Sequence, residues 1–334
     1  MSIDSLARHG FVDRVARGVA PASQAPSAAL VFVFDSGFST PFKVLLYSMA
    51  KLGTCTTLPI IVITQDEAVA QDPVVKAAAD QILMLGAAEI EQFKVISGRR
   101  VPDRYKLDWI AKYTFLKWSI FDDFGFDQLL FIDADIVCLN PVEELLSSDL
   151  PGDMLGCPRF MDGVVKDESG NRLSDETILR NLRRMIRGKF DASHTRLNSG
   201  VMLLRKRLLN KAFREELLQF AATRDYVNEQ SYLTAFFADR PDYSLSFVSS
   251  RYNFGAGALA DLPMVLELQI LKDIVFLHFP GPRKPWRMET TLDTSRFSHI
   301  IWRRMYNEAL TGTGLFGARK SAGAARSTVA DGDM

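Results

Sequence analysis

Three short runs, ALVFVFD (29–35), LPIIVIT (58–64) and LLFID (129–133), are apolar at nearly every position rather than at alternate ones. A strand written this way is covered on both faces, and such strands belong to mostly parallel sheets with helices on either side. Helix-period segments between the runs supply the cover. Thr40 as N-cap and Pro41 in the first turn predict a helix ending near Gly53. QILML (81–85) reads as a third strand, and residues 106–123, with Lys112 and Lys117, read as a helix. Further on, MLGCP (154–158), NSGVMLL (198–204) and DIVFLHF (273–279) read as strands, with helices over 174–190, near 206–222 and 228–238, and over 295–310. The expectation is an α/β fold with a Rossmann-like, mostly parallel sheet flanked by helices in one continuous domain. Residues 1–28 and 311–334, rich in Pro, Ala, Ser and Gly, read as flexible ends.

Charge narrows the function. Forty Lys and Arg stand against forty Asp and Glu, so no bulk field draws nucleic acid to the surface. Cys55, Cys138 and Cys157 lack metal-like spacing; Cys138 and Cys157, in or near apolar runs, read as buried free thiols of a reducing compartment. No apolar run reaches the roughly 18–20 residues needed to span a bilayer, and the N-terminal segment has no secretory apolar core. A cytoplasmic protein is expected. The basic helix with Arg180, Arg183, Arg184 and Arg187, and the segment IIWRRMYNEAL, could meet the inner face of a membrane or could simply be solvated.

Asp133 and Asp135 carry the chemistry. In an extended segment, residues two apart face the same side, so both carboxylates would point to one spot at the carboxyl end of a buried strand, where open α/β sheets bind ligands. Two carboxylates so placed repel unless a cation, a proton or an arginine lies between them. A divalent metal bridging a diphosphate answers that need; an Asp-rich turn leading into Asn140-Pro141 is the plainer alternative.

HFPGPRKPW (278–286) favours the metal. His278 ends an apolar strand, Gly281 permits close backbone approach, and Lys284 can reach phosphate as a point charge. Asp, Asp and His form an O/O/N donor set, and the imidazole tilts the choice from Mg²⁺ towards Mn²⁺.

With both segments read together, the chain resembles the family 8 glycosyltransferases, the glycogenin and lipopolysaccharide galactosyl- and glucosyltransferase group, which have a GT-A fold. The resemblance runs over roughly residues 29–290 as an ordered series of motifs, leaving 291–310 as a C-terminal helix. The family's Asp-x-Asp corresponds to Asp133-Ala134-Asp135, and its His-x-x-Gly-x-x-Lys-Pro-Trp to His278, Gly281, Lys284, Pro285 and Trp286. Asn198-Ser199-Gly200 matches its Asn-Ser-Gly strand start. VFVFDSGFSTPF, with Asp35 and Phe38, is similar to its opening nucleotide-binding turn. A basic residue one helix upstream of Asp-x-Asp fits Lys117 better than Lys112. Two departures stand out: Glu229-Gln230 replaces the usual Asp-Gln, and Phe38 stands where Tyr is common.

The resemblance implies a UDP-sugar donor, Mn²⁺ (with Mg²⁺ as the alternative) held by Asp133, Asp135 and His278, and transfer with retention of anomeric configuration. It implies donor contacts from Asp35, Phe38, Lys117, Asp133, Ala134, Asn198, Ser199, Gly200, Gly281 and Lys284. Catalytic roles fall to Gln230, Glu229 and Lys117, with front-face departure beside Gln230 and a covalent intermediate on Glu229 both open. The acceptor class is a glycan, a lipid-linked sugar or a protein. Arg251-Tyr252-Asn253 resembles a Tyr-Asn segment of the family's acceptor half, with Tyr252 read as core. A non-catalytic or self-glycosylating nucleotide-sugar protein is the alternative from another class. A sugar nucleotidyltransferase ranks lower, because DSGFSTPF has one glycine and no basic residue before Lys43.

Overall fold

The computed structural model describes residues 27–98, 114–159, 164–189, 195–226, 228–260, 262–281, 284–287 and 296–311. The expected end segments lie largely outside these residues, as do Lys112 and residues 106–113 of the helix expected over 106–123; the described remainder is not an α-helix but a 3-10 turn over Phe115–Ile120.

The apolar runs form the sheet. Strands β1 (Ala28–Val33), β2 (Ile60–Thr64), β3 (Gln81–Met84) and β4 (Gln128–Ile132) pair in parallel in the order β3-β2-β1-β4. Their alternate residues serve two cores. Leu30, Phe32, Leu130 and Ile132 pack into one layer with Phe42, Leu45 and Leu46 of helix α1 (Ser39–Leu52). Ala29, Val31, Leu129 and Phe131 pack into the other, with Trp118, Phe213 and Phe236. Burial on both faces is why β1, β2 and β4 carry no polar alternation, whereas β3, at the sheet edge, is largely exposed. Helix α1 begins at Ser39, with Phe38 rather than Thr40 at its N-cap, and ends as expected at Gly53, whose φ of 70° is left-handed.

Beyond β4 the sheet turns mixed. β6 (Met154–Pro158), β7 (Leu197–Arg205) and β8 (Leu245–Phe247) complete the order β3-β2-β1-β4-β7-β6-β8, and β7 runs antiparallel to both β4 and β6. This reversal brings the first residues of β7 beside the last residues of β4. A second sheet, not foreseen in the sequence, joins β5 (Ile136–Cys138), β9 (Phe254–Gly255) and β10 (Phe276–His278) in the order β5-β10-β9. Among the described residues, α2 (Glu67–Gln71), α3 (Pro73–Ala78), α4 (Ala87–Gly98) and α5 (Glu143–Leu146) lie between β2 and β6. The later helices described are α6 (Asp175–Ile186), α7 (Lys211–Ala222), α8 (Glu229–Asp239), α9 (Met264–Leu271) and α10 (Phe297–Thr311). All three cysteines are free and buried. Among the described residues no helix is long and apolar enough to cross a membrane.

Candidate active site

Asp133-Ala134-Asp135 occupies the step between the two sheets. The extended strand stops at Ile132 and β5 starts at Ile136, so the carboxylates converge through a turn and not through the strand alternation read from the sequence. Each aspartate is tied to one sheet. The Asp133 amide donates to the Gly200 carbonyl (2.7 Å), and the Asp135 carbonyl accepts from the Phe279 amide (3.0 Å). Register places His278 opposite Ile136, next to Asp135. Ligand-capable atoms of Asp133, Asp135 and His278 all lie within 4.8 Å of one another.

The imidazole is oriented from behind. Its Nδ1 is 2.8 Å from Oδ1 of Asn253. The Asn253 amide nitrogen donates to the Asn198 carbonyl (3.4 Å), which settles which end of the amide faces the ring. Nδ1 therefore carries hydrogen, and Nε2 points at Oδ1 of Asp135 (3.1 Å) and Oδ2 of Asp133 (3.8 Å). One buried and one half-buried carboxylate and one ring nitrogen aimed at a common point fit a divalent cation, with the outer-ring hydrogen bond that metal-ligating histidines typically make.

Two lysines flank the cluster. Lys117 lies on a 3-10 turn, Phe115–Ile120, and reaches Asp133 at 2.8 Å and Glu229 at 3.7 Å. Burial alone would drive off its proton, but the Asp133 and Glu229 charges outweigh it and hold Lys117 as an ammonium. Lys284 bonds Asp135 and the Phe279 carbonyl, and its ammonium lies 5.5 Å from the rings of both Phe38 and Trp286. Gly281, shortly after the strand end, has a φ of 85°, which a side chain rarely adopts.

The carboxylates respond in opposite directions. Burial and the neighbouring Asp135 charge push Asp133 above the usual carboxylate range, against the pull of Lys117. Burial acts upward on Asp135 as well, but His278 and Lys284 overcome it and hold that group well below the range.

The remaining predicted residues sort by what they touch. Antiparallel pairing of β7 brings Ser199 under α8, where its hydroxyl donates to Glu229 (2.8 Å) and its amide to Gln230 (3.4 Å). Asn198 accepts from the Gly200 amide at 3.1 Å. Ala134 is buried within the turn. Asp35 caps the Ser36–Phe38 turn through the Gly37 amide, and burial raises its pKa. Tyr252 is core, as read. Asn253 was missed as the histidine's partner. Its neighbours in RYN say nothing of a ring 25 residues further on.

A mostly parallel sheet with an acidic turn at the carboxyl end of its central strand defines the GT-A class of glycosyltransferase fold. The chain belongs to glycosyl transferase family 8, whose model matches residues 29–290. Among solved structures it is similar to the glycosyltransferase GlyE of Streptococcus pneumoniae TIGR4 (TM-score 0.54, 17% identity, 89% of this chain and 64% of that one). It is also similar to the galactosyltransferase LgtC, solved with donor and acceptor sugar analogs (TM-score 0.55, 16% identity, 87% of this chain and 99% of that one). The bifunctional glycosyltransferase WbbM is a third (TM-score 0.55, 14% identity, 91% of this chain and 53% of that one). At these identities the likeness is one of fold. The chain spans 64% of the length of GlyE. No curated protein sequence matches it.

Proposed function

We propose that this protein is a metal-dependent, retaining hexosyltransferase that moves glucose or galactose from a UDP-sugar to a glycan, lipid-linked or protein acceptor. Residues 29–290 form the catalytic unit of this reading, and the cytoplasm is its place of action. The observation that carries it is the convergence of Asp133, Asp135 and His278 at one point between the two sheets.

Asp133, Asp135 and His278 would hold Mn²⁺, which when bound would supply positive charge against the donor's diphosphate and the departing UDP; the imidazole in the donor set favours it over Mg²⁺. The chain's own groups do the rest. Lys284 is preset as a fixed cation beside Asp135 and would meet a phosphate oxygen with little reorganisation. Phe38, at the edge of the same lysine, offers an apolar ring for the base. Lys117 and Asn198 would hold sugar hydroxyls, with Gln230 near the reacting carbon. Glu229 is occupied by Ser199 and Lys117, an arrangement that suits a positioning carboxylate better than a free nucleophile.

Calorimetric titration of UDP with and without Mn²⁺, on wild type and on Asp135→Asn, tests the donor site. Metal-dependent binding that disappears in the variant supports it, and a hydrolysis screen over UDP-sugars then identifies the hexose. UDP binding that ignores both metal and variant would overturn the reading. A hexose ladder on the protein itself, seen by mass spectrometry, would move it to a self-glycosylating primer.

A further inference from the structure

Helix α9 (Met264–Leu271) has an unusual outer face. Val265 is 69% exposed, and Met264 and Leu268, on the same side, are also among the exposed large apolar residues. The helix's one acid, Glu267, is turned inward, where its carboxylate accepts the Phe297 and Ser298 amides at the start of α10. No negative charge of α9 therefore faces outward with these side chains. Val265 and Leu268 also border an open groove of about 560 Å³ that continues to Lys272 and Ile301.

A basic stripe lies alongside. Arg180, Arg183 and Arg184 of α6, with Arg187 just past its end, are spaced i, i+3, i+4 and i+7, which is one face of a helix. The opposite face, Ile178, Leu182, Met185 and Ile186, is buried against the same core as α9, so the arginines are exposed outward. Arg183 donates to Gln269 of α9 at 2.9 Å, joining the two stripes into one surface. The acids of α6 are Asp175 and Glu176 in its first turn, and Asp273 follows α9; Asp175 is already paired with Arg172. Among the described residues of α6 and α9 the outward charge is basic.

We propose that the outer faces of α9 and α6 form a docking surface for a bilayer containing anionic phospholipid. Exposed apolar side chains flanked by a row of arginines match the two layers of a lipid interface: the apolar residues enter the acyl boundary while the guanidinium groups meet phosphates. The surface stands apart from the acid cluster. Strand β5 has Asp135 at one end and Leu139-Asn140 at the other, and Asn140 bonds the Lys272 and Ile274 carbonyls at the foot of α9. A protein docked this way would keep the Asp135 end free. The inference goes beyond the proposed transfer reaction and does not depend on it.

Flotation with vesicles tests it. The full chain is mixed with vesicles of phosphatidylcholine plus phosphatidylglycerol, or of phosphatidylcholine alone. Retention on the anionic vesicles only, lost at high salt, is expected. The double variant Arg180→Ala/Arg184→Ala should bind roughly 25-fold more weakly, about fivefold per charge. Val265→Ser/Leu268→Ser should lose retention, and both variants should keep the wild-type unfolding midpoint and any wild-type UDP binding. An environment-sensitive dye on Val265→Cys should shift to the blue on anionic vesicles. Absence of wild-type retention, wild-type behaviour of either double variant, or an unshifted dye would overturn the proposal. So would a wild-type dimer that Val265→Ser/Leu268→Ser dissolves while vesicles remain unbound, which would assign the face to a second copy of the chain.

Discussion

Gly200 lies directly beneath the ring of His278: a Cβ added there would stand 2.6 Å from Cε1 and 2.8 Å from Nδ1 of the imidazole. Its place in Asn-Ser-Gly is thus explained by the histidine it supports, since real side chains do not approach this closely. The backbone of β7 carries the ring on one side while its carbonyl holds the Asp133 amide on the other.

Gly200→Ala should therefore act at the metal cluster without changing any charge. Displacement of the ring by the added methyl is expected to cost about 1–3 kcal/mol of folding stability. It should also weaken Mn²⁺ binding. Denaturant unfolding and metal titration on the same preparation check both; unchanged values in the two would remove the steric account.

Asn253→Ala removes the acceptor on Nδ1 of His278 and frees the ring to rotate or to take the other tautomer. Loss of such an orienting partner lowers metal affinity by about 10–100-fold in other sites, and a fall of that size is expected here in Mn²⁺ titrations with UDP present. An Asn253→Ala protein that binds Mn²⁺ like wild type would show that Nε2 is held by something else.

Asp135→Ala and Asp135→Asn should separate stability from binding. Lys284 is buried, and Asp135 is its one carboxylate partner among the described residues. Removing the acid outright leaves that ammonium with only the Phe279 carbonyl and two aromatic faces. Breaking a buried pair costs about 3–5 kcal/mol, so Asp135→Ala should unfold at clearly lower denaturant. Asp135→Asn keeps an acceptor for Lys284 and should unfold later than Asp135→Ala while losing metal-dependent UDP binding equally. Equal stability of the two variants would argue against the Lys284 pairing.

Glu143 predicts a pH dependence remote from the site. Partial burial works against its charge, but the Cys55 amide (2.9 Å), the Thr54 hydroxyl (2.7 and 2.8 Å) and the Val142 amide (3.0 Å) outweigh it and lower the pKa. A carboxylate whose folded pKa is depressed adds stability above its unfolded pKa and loses it as pH falls through the folded value. Glu143→Gln should thus lower the unfolding midpoint at neutral pH, by about 1 kcal/mol after allowance for its solvent exposure. The gap from wild type should close as the solution is acidified below the ordinary glutamate range. A gap that is constant with pH would mean that the contact acts through shape and not charge.

The sequence by itself determined the layers. Continuous apolar strands such as β1, β2 and β4 can exist only with both faces covered, so the parallel core and its helices could be read from residue type alone. The same holds for the strand-end carboxylates and for His278, because buried charge at a strand end has few physical excuses. Tertiary structure decided how these groups meet. Asp133 and Asp135 converge through a turn linking two sheets; of the second sheet only β10 was legible, within DIVFLHF, because its partners β5 and β9 are three and two residues long. Strands that short carry no periodicity to read. The antiparallel insertion of β7 brings Ser199 to Glu229 and Gly200 to His278, and the β5–β10 register delivers His278 to Asp135. Asn253 acquires its role only through the pairing of β9 with β10, which sets it beside His278. Hydrogen bonding between distant strands is a long-range property, and no local pattern in the chain encodes which partner a given residue will face.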